Sequence, residues 1–179
     1  MKIYFVQHGK IPSAEEMKLT MKDEGLSEEG VKEAQEAVRS LHSLLGYNSS
    51  LQIITSPRKR ATDTAKIFAQ HWKIDPEDIT IDNRLVERDC KPYDGQSIDD
   101  VFSLPEEVLV AGGMEPLASV FKRTQSFYDD LLIRGNNSAV LVVGHSGSLA
   151  PLYFASKGKT LGDLLEVPQL LRNKVLQLN

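Results

Sequence analysis

The chain has 179 residues, a formal net charge of -4 at pH 7 and a pI near 5.6. This length is enough to bury a substantial core in one domain, and the acidic balance excludes a general nucleic-acid binder, whose affinity depends on basic surface. The apolar run before Gln7 is too short for a signal peptide or a membrane span, and the single cysteine, Cys90, has no disulfide partner within the chain. We therefore expect a single domain over residues 1–179, located in the cytoplasm, with neither nucleic acid nor a membrane as its partner.

The first predicted element is a buried strand over residues 3–6, which is apolar on both faces and ends at a histidine and a glycine. Such a run is typical of a central strand in a parallel sheet, and ligands bind at the carboxyl ends of these strands. His8 is therefore a candidate site residue, Gly9 lets backbone N–H groups approach a ligand, and Lys10 is near enough to contact an anion. A hydrogen-bonded structural histidine is the alternative for this stretch alone.

A loop with a short helical turn is predicted over residues 10–25, followed by a helix that begins after Ser27 and runs to about Leu45. Serine is a favoured N-cap, and the two glutamates that follow it suit the positive end of the helix dipole. Apolar residues recur at spacings of three and four along this helix, which predicts one face packed against a sheet.

A second strand, residues 51–55, leads into a predicted helix that starts at Ser56 and Pro57 and runs to about residue 71. Its first turn carries Arg58, Lys59 and Arg60, which have the wrong sign for the helix dipole unless an anion binds there. We expect Arg60 to point into the same cleft as the histidine after the first strand. A solvated basic turn is the alternative for the other two cations.

After a short strand at residues 79–81, the regular pattern weakens over residues 83–115, where a short helix is predicted at 98–104. We interpret this segment as a cover over the site. Among its acidic residues, Glu87 and Asp89 are candidates for an acid catalyst, although a solvated acidic loop is the more common explanation for such a composition.

The remaining chain predicts a long helix over 115–133, a turn at 135–137, a very apolar strand at 139–143, a helix over 148–157 and a final strand at 174–178. The strand at 139–143 again ends in a histidine between glycines, His145, followed by Ser146. Alternating strands and helices predict a three-layer α/β/α sandwich with a mostly parallel, doubly wound sheet.

Five stretches in this order resemble the histidine phosphatase superfamily, with its phosphoglycerate mutase-like fold. The family pattern has an arginine-histidine-glycine triplet, a leucine and a glycine at a helix start, a serine-to-arginine-alanine-threonine-alanine segment, a leucine-x-glutamate loop and a late histidine. The corresponding stretches here are Gln7-His8-Gly9, residues 26–30, Ser56 through Arg60-Ala61 to Thr64-Ala65, Leu85-Val86-Glu87, and Gly144-His145-Ser146-Gly147.

The resemblance implies catalysis through a phosphohistidine, without a cofactor or a metal, on a small phosphorylated metabolite. His8 would be the nucleophile, Arg60 and His145 would bind the non-bridging oxygens, and Glu87 would protonate the leaving oxygen. Substrate contacts are expected from residues near these four: Gln7, Gly9, Lys10, Arg58 and Ser146. A zinc site at the two histidines is the competing chemistry, but no third ligand is evident at suitable spacing.

One position departs from the family pattern, because Gln7 stands where the family has arginine. Loss of one or two charge-assisted hydrogen bonds, worth roughly 1.5 to 3 kcal/mol each, would cost roughly one to four orders of magnitude in rate. Lys10 or Arg58 is expected to replace part of this charge. We predict a phosphomonoester hydrolase; the alternatives are a catalytically weakened phosphate-binding member of the same fold and a phosphoglycerate mutase-type phosphotransferase.

Overall fold

In the described part of the chain, five strands form one mostly parallel sheet in the order β3-β2-β4-β1-β5. The computed structural model describes residues 1–46, 50–134, 139–159 and 175–177. Strands β1 to β4 run parallel, and β5 pairs antiparallel with β1 at one edge. Their bounds are Ile3–Gln7 for β1, Leu51–Thr55 for β2, Thr80–Ile81 for β3, Ala139–Gly144 for β4 and Leu176–Gln177 for β5.

Helices cover both faces of this sheet. Helices α1 and α2 pack on one face, whereas α5 and α6 pack on the other. The two short helices α3 and α4 belong to the segment between β3 and α5. The bounds are Glu28–Leu45 for α1, Lys59–Trp72 for α2, Ile98–Phe102 for α3, Glu106–Ala111 for α4, Leu117–Arg134 for α5 and Ser146–Ser156 for α6.

The central strands fill two cores because their side chains alternate between the faces. In β1, Tyr4 and Val6 are buried against α1 and α2, whereas Ile3 and Phe5 are buried against α5 and α6. Strand β4 is buried along its whole length. These two cores confirm the predicted three-layer α/β/α sandwich.

The start of α2 differs from the prediction, which was wrong in placing it at Pro57 with Ser56 as the cap. The N-cap is Arg58, in extended backbone conformation, and no side chain caps the helix. The Ser56 hydroxyl instead accepts a hydrogen bond from the Arg58 backbone N–H and contacts His145. The local sequence assigns the Ser56 side chain to the helix cap, but this side chain instead contacts His145, which is 89 positions away.

Other predicted elements lie close to their observed positions. The helical turn in the first loop is a 3-10 helix, Pro12–Glu16. Helix α6 begins two residues earlier than predicted, and α5 begins two residues later. The final strand occupies an edge, while the ends of its predicted range, residues 174 and 178, and the turn predicted at 135–137 lie outside the described residues.

No helix in the described parts of the chain has the length and apolar character needed to cross a membrane.

The segment of residues 83–115 has a small apolar core of its own. Cys90, Val101, Leu109 and Met114 are buried together. Partly buried side chains from the first loop pack against them, Leu19 and Met21 among them, so the segment is anchored more firmly than its sparse apolar residues suggested. Sequence periodicity cannot predict such contacts between residues that are far apart in the chain.

Candidate active site

Two histidines meet at the carboxyl edge of the sheet because they follow neighbouring strands. Gln7 of β1 is in register with Gly144 of β4, and the backbone N–H of His8 donates to the Gly144 carbonyl at 2.9 Å. The next residue after β4 is His145. The two imidazole rings are 5.0 Å apart between centroids, at an interplanar angle of 62°.

Arg60 joins the two rings. Its Nε lies 3.2 Å from His8 Nε2 and 3.3 Å from His145 Nδ1, so one N–H is shared between two acceptors. Another guanidinium nitrogen donates to the Lys22 backbone carbonyl at 3.2 Å. Burial lowers the pKa of Arg60, although a guanidinium keeps its charge near neutral pH. The pocket therefore holds a fixed cation beside both rings.

The hydrogen bonds of His8 define its tautomer. Its Nδ1 lies 2.8 Å from the Gly9 carbonyl oxygen, which can only accept. Nδ1 therefore carries the proton in the neutral ring, and the electron pair of Nε2 accepts the Arg60 Nε–H. Nε2 could attack an electrophile once a bound anion takes over the Arg60 N–H.

His145 is fully buried and neutral in this arrangement. Burial, together with the nearby His8 and Arg60, lowers its pKa well below the usual 6.5. Since its Nδ1 accepts from Arg60, its Nε2 donates to the Ser56 hydroxyl at 2.8 Å. Ser56 is thus a residue of the site that the sequence indicated only as a helix cap.

Two glycines bring the end of β1 against the first turn of α1. A Cβ atom on Gly9 would overlap the Gly30 carbonyl oxygen, and a Cβ on Gly30 would overlap the Lys10 carbonyl oxygen. The Gly9 N–H donates to the Thr64 hydroxyl at 3.1 Å, which connects this turn to α2. The close backbone approach explains why the pattern has glycine at both positions.

Glu87 reaches the same region from the segment of residues 83–115. The side chain is half-buried, and its Oε1 accepts from the Arg88 backbone N–H at 2.9 Å. Gly147 approaches so closely that a Cβ there would overlap this oxygen. Burial raises the pKa of Glu87, against the opposing effects of the Arg88 N–H and the Arg60 charge. The carboxyl group can therefore hold a proton at higher pH than an ordinary glutamate.

Asp89, the other candidate acid, has the opposite character. The backbone N–H of Lys91 donates to its carboxylate at 3.0 Å and is the main cause that lowers its pKa. Asp89 therefore remains ionised where Glu87 can still be protonated.

A cleft of about 650 Å³ opens beside Glu87 and Asp89. Arg58, Glu87 and Asp89 are among its lining residues. Arg123 of α5 also lines it and forms an ion pair with Glu115, with Nε 3.0 Å from Oε1. The sequence analysis missed Arg123. It could have been found as a charged residue within the apolar stripe of a helix, three residues after the fully buried Val120.

The other predicted substrate contacts have different surroundings. The Gln7 side chain is half-buried, and its Oε1 is buried without a hydrogen-bond partner among the described residues. The Lys10 ammonium forms an ion pair with Glu29 at 2.9 Å. Ser146 is the first residue of α6. Arg58 has no ion pair with a carboxylate in the described ranges, which makes it the cation most available to a ligand.

A zinc site was the competing chemistry for the two histidines. Within the described residues, no three histidine, cysteine, aspartate or glutamate side chains are grouped in a way that could hold a metal ion.

Comparisons with known proteins find one similar sequence and several structures with the same fold. The chain is 28% identical over 151 residues to phosphoserine phosphatase 1 from Hydrogenobacter thermophilus, covering 78% of this chain and 67% of that protein. The mycobacterial glucosyl-3-phosphoglycerate phosphatase shares the fold with a TM-score of 0.80 at 20% identity, over 98% of this chain and 90% of its own. A phosphoserine phosphatase from Entamoeba histolytica, solved with 3-phosphoglyceric acid, has a TM-score of 0.77 at 16% identity, over 98% and 89%.

The family comparison extends over almost the whole chain, with residues 3–175 matching one family. That range includes both strand-end histidines, the arginine between them and the half-buried glutamate. This protein belongs to the histidine phosphatase superfamily, branch 1.

Proposed function

We propose that the protein hydrolyses phosphomonoesters through a phosphohistidine on His8. The observation that carries this proposal is the tautomer of His8, whose Nε2 electron pair faces the same pocket as the Arg60 guanidinium. Neutral imidazole with one nitrogen held by a carbonyl is a competent nucleophile toward phosphorus.

In the first step, His8 Nε2 attacks phosphorus while the bond from phosphorus to the leaving oxygen breaks. Glu87 gives its proton to that oxygen, so the alcohol leaves neutral. Arg60 donates to the non-bridging oxygens, where negative charge is concentrated in a loose transition state, and His145 binds them as well once the phosphate charge favours a proton on its Nδ1, which is an acceptor in the ligand-free site. The raised pKa of Glu87 supports its assignment as the acid, and the lowered pKa of Asp89 argues against that residue.

In the second step, the Glu87 carboxylate accepts a proton from a water molecule as the water oxygen attacks phosphorus. The bond between phosphorus and His8 Nε2 breaks, and inorganic phosphate, neutral His8 and protonated Glu87 result. The same carboxyl group thus acts first as acid and then as base, which its intermediate degree of burial favours.

Residues 83–115 would form the cover over this reaction within a single domain of residues 1–179. Three features support the assignment: this segment supplies Glu87, it lines the cleft, and it is tied to the first loop through its own apolar core. The names of the relatives, phosphoserine phosphatase and glucosyl-3-phosphoglycerate phosphatase, support a small phosphorylated substrate.

A second candidate function is phosphate-ligand binding with little or no turnover. It is favoured by Gln7, a neutral amide whose oxygen has no partner among the described residues. In that case Arg60 would still bind phosphate, but transition-state stabilisation would be weak.

The test is release of phenol from phenyl phosphate at pH 5 to 7, with His8→Ala as the control and thermal unfolding measured with and without inorganic phosphate. The proposal expects turnover that His8→Ala abolishes. Stabilisation by phosphate without turnover would replace it with the binding function, and the absence of both would exclude both functions.

A further inference from the structure

Once ion pairs are considered, negative charges outnumber positive charges in the lining of the cleft. Arg123 and Glu115 neutralise each other through two contacts, at 3.0 and 3.2 Å. Glu87 is the group that must hold a proton. The remaining lining charges are the Arg58 guanidinium and two carboxylates, Asp23 and Asp89.

Both carboxylates lie close to the reacting groups. Asp23 directly follows Lys22, whose carbonyl accepts from Arg60, and its negative charge acts on the Arg60 guanidinium. Asp89 is two residues from Glu87, the group expected to contact the leaving oxygen. A substrate whose phosphate lies at Arg60 would extend its alcohol part into the cleft that both carboxylates line.

Neither carboxylate is fully neutralised by the protein. Asp23 accepts the Lys59 backbone N–H at 2.8 Å, and no cationic side chain within the described residues forms an ion pair with it. Among the described residues, Asp89 forms one ion pair, at 3.3 Å with Lys91, whose side chain is 72% exposed, and such solvated pairs are weak. The phosphate group of a substrate would offset Arg58, which leaves an excess of negative charge around the leaving group.

We propose that the cleft selects phosphomonoesters whose alcohol part carries an ammonium group, with Asp23 and Asp89 as its hydrogen-bond acceptors. This inference rests on the proposed hydrolase activity and adds a substrate class to it. A carboxylate in the same position would meet two like charges, whereas an ammonium would form charge-assisted hydrogen bonds.

The experiment compares three phosphates of similar size: 2-aminoethyl, 2-hydroxyethyl and carboxymethyl phosphate. We expect kcat/KM to fall in that order, with roughly a twofold to thirtyfold advantage of aminoethyl over hydroxyethyl phosphate, because both carboxylates are partly exposed to solvent. In an Asp23→Asn, Asp89→Asn double variant this ratio should fall toward one. Asparagine keeps the carbonyl oxygens that accept from Lys59 and Lys91, so the fold is preserved.

An Asp75→Asn, Asp78→Asn variant is the matched control. It changes the net charge equally at exposed positions between α2 and the amino end of β3, whereas the cleft lies at the carboxyl edge of the sheet. This control should retain the wild-type ratio. Equal kcat/KM values for the three substrates, preference for carboxymethyl phosphate, or an unchanged ratio in the Asp23, Asp89 variant would each overturn the inference.

Dissociation constants of the three phosphates for His8→Ala separate this inference from the proposed function. Tightest binding of aminoethyl phosphate without turnover by the wild-type protein would support the ammonium preference and exclude the hydrolase. Turnover by the wild type without any preference in rate or binding would support the hydrolase and exclude the ammonium preference.

Discussion

At the scale of single residues, Glu87 and Asp89 differ in protonation although only one residue separates them. Burial raises the pKa of Glu87, whereas the Lys91 N–H lowers that of Asp89. We predict that Glu87→Gln lowers kcat on substrates with a poor leaving group by about two to four orders of magnitude, the usual contribution of general acid catalysis. Asp89→Asn should lower kcat for the same alkyl phosphate by much less.

The leaving group provides an internal control for this prediction. An aryl phosphate with an acidic phenol needs little protonation, so Glu87→Gln should slow its first step less than that of an alkyl phosphate. Equal losses for both substrate types, measured in single turnovers, would contradict the role of Glu87 as acid. A larger loss from Asp89→Asn would transfer that role to Asp89.

Gln7 is the residue at which this chain departs from the family pattern. Its side chain is half-buried at the end of β1, and Arg58 is the cation that lines the cleft without a carboxylate partner among the described residues. We predict that Gln7→Arg raises kcat/KM for phenyl phosphate by roughly one to two orders of magnitude, because it adds a charge-assisted bond in the transition state.

The matched comparison for that prediction combines Gln7→Arg with Arg58→Ala. If Arg58 supplies part of the charge that Gln7 lacks, Arg58→Ala should cost more activity in the natural background than in the Gln7→Arg background. Equal losses in both backgrounds would show that the two positions do not compensate each other.

At the scale of elements, the contact between β1 and α1 depends on the absence of side chains at Gly9 and Gly30. A methyl group on Gly30 would overlap the Lys10 carbonyl oxygen, which belongs to backbone and cannot rotate away. We predict that Gly30→Ala lowers the free energy of unfolding by about 1 to 3 kcal/mol, as overpacking does, and that it lowers kcat by displacing His8. Chemical denaturation and phosphatase assays measure the two effects.

Gly25→Ala is the control for this contact. The atoms nearest to a Cβ at Gly25 would be the ends of the flexible Asp63 and Lys59 side chains, which can move. The control should therefore stay within about 1 kcal/mol of the wild type, near the range of ordinary substitutions away from the core. Similar losses from both variants would show that the backbone contact at Gly30 has no special importance.

At the scale of the whole molecule, the buried neutral ring of His145 makes stability depend on pH. Its pKa is well below 6.5 in the folded state and near 6.5 in the unfolded chain. As the pH falls below about 6.5, the unfolded chain binds a proton at this ring that the folded protein does not. The free energy of unfolding therefore decreases until the pH reaches the folded-state pKa, and no further loss from this residue follows below it.

We predict that His145→Asn removes this contribution. The unfolding free energy of the variant should fall less steeply than that of the wild type between about pH 6.5 and the acid limit of folding, by up to about 1.4 kcal/mol per pH unit. Urea titrations over this range measure the slopes. The other histidines are present in both proteins, so parallel slopes would mean that His145 is not held neutral in the folded state.

The sheet and its two helix layers could be predicted from the sequence because a strand that is buried on both faces needs a continuous run of apolar residues. The apolar runs predicted the buried strands β1 and β4 in this way. The apolar stripe along α1 predicted which face of that helix packs on the sheet. The start of α2 could not be predicted, because Ser56 contacts a histidine that is 89 residues away. The ion pair of Arg123 with Glu115 was missed for a related reason, since Glu115 lies in a segment without a regular pattern.

The separate apolar core of residues 83–115 affects how this protein can change over evolutionary time. Substitutions among Val101, Leu109 and Met114 would reshape the cleft only through neighbouring lining residues such as Gly113, and they would not repack either core of the sheet. One connection restricts this freedom, because Met21 packs in that small core while its neighbour Lys22 holds Arg60 through the backbone. New specificities are therefore most accessible through the side of the segment that is remote from the first loop, where selection can act on substrate choice while the chemistry is conserved.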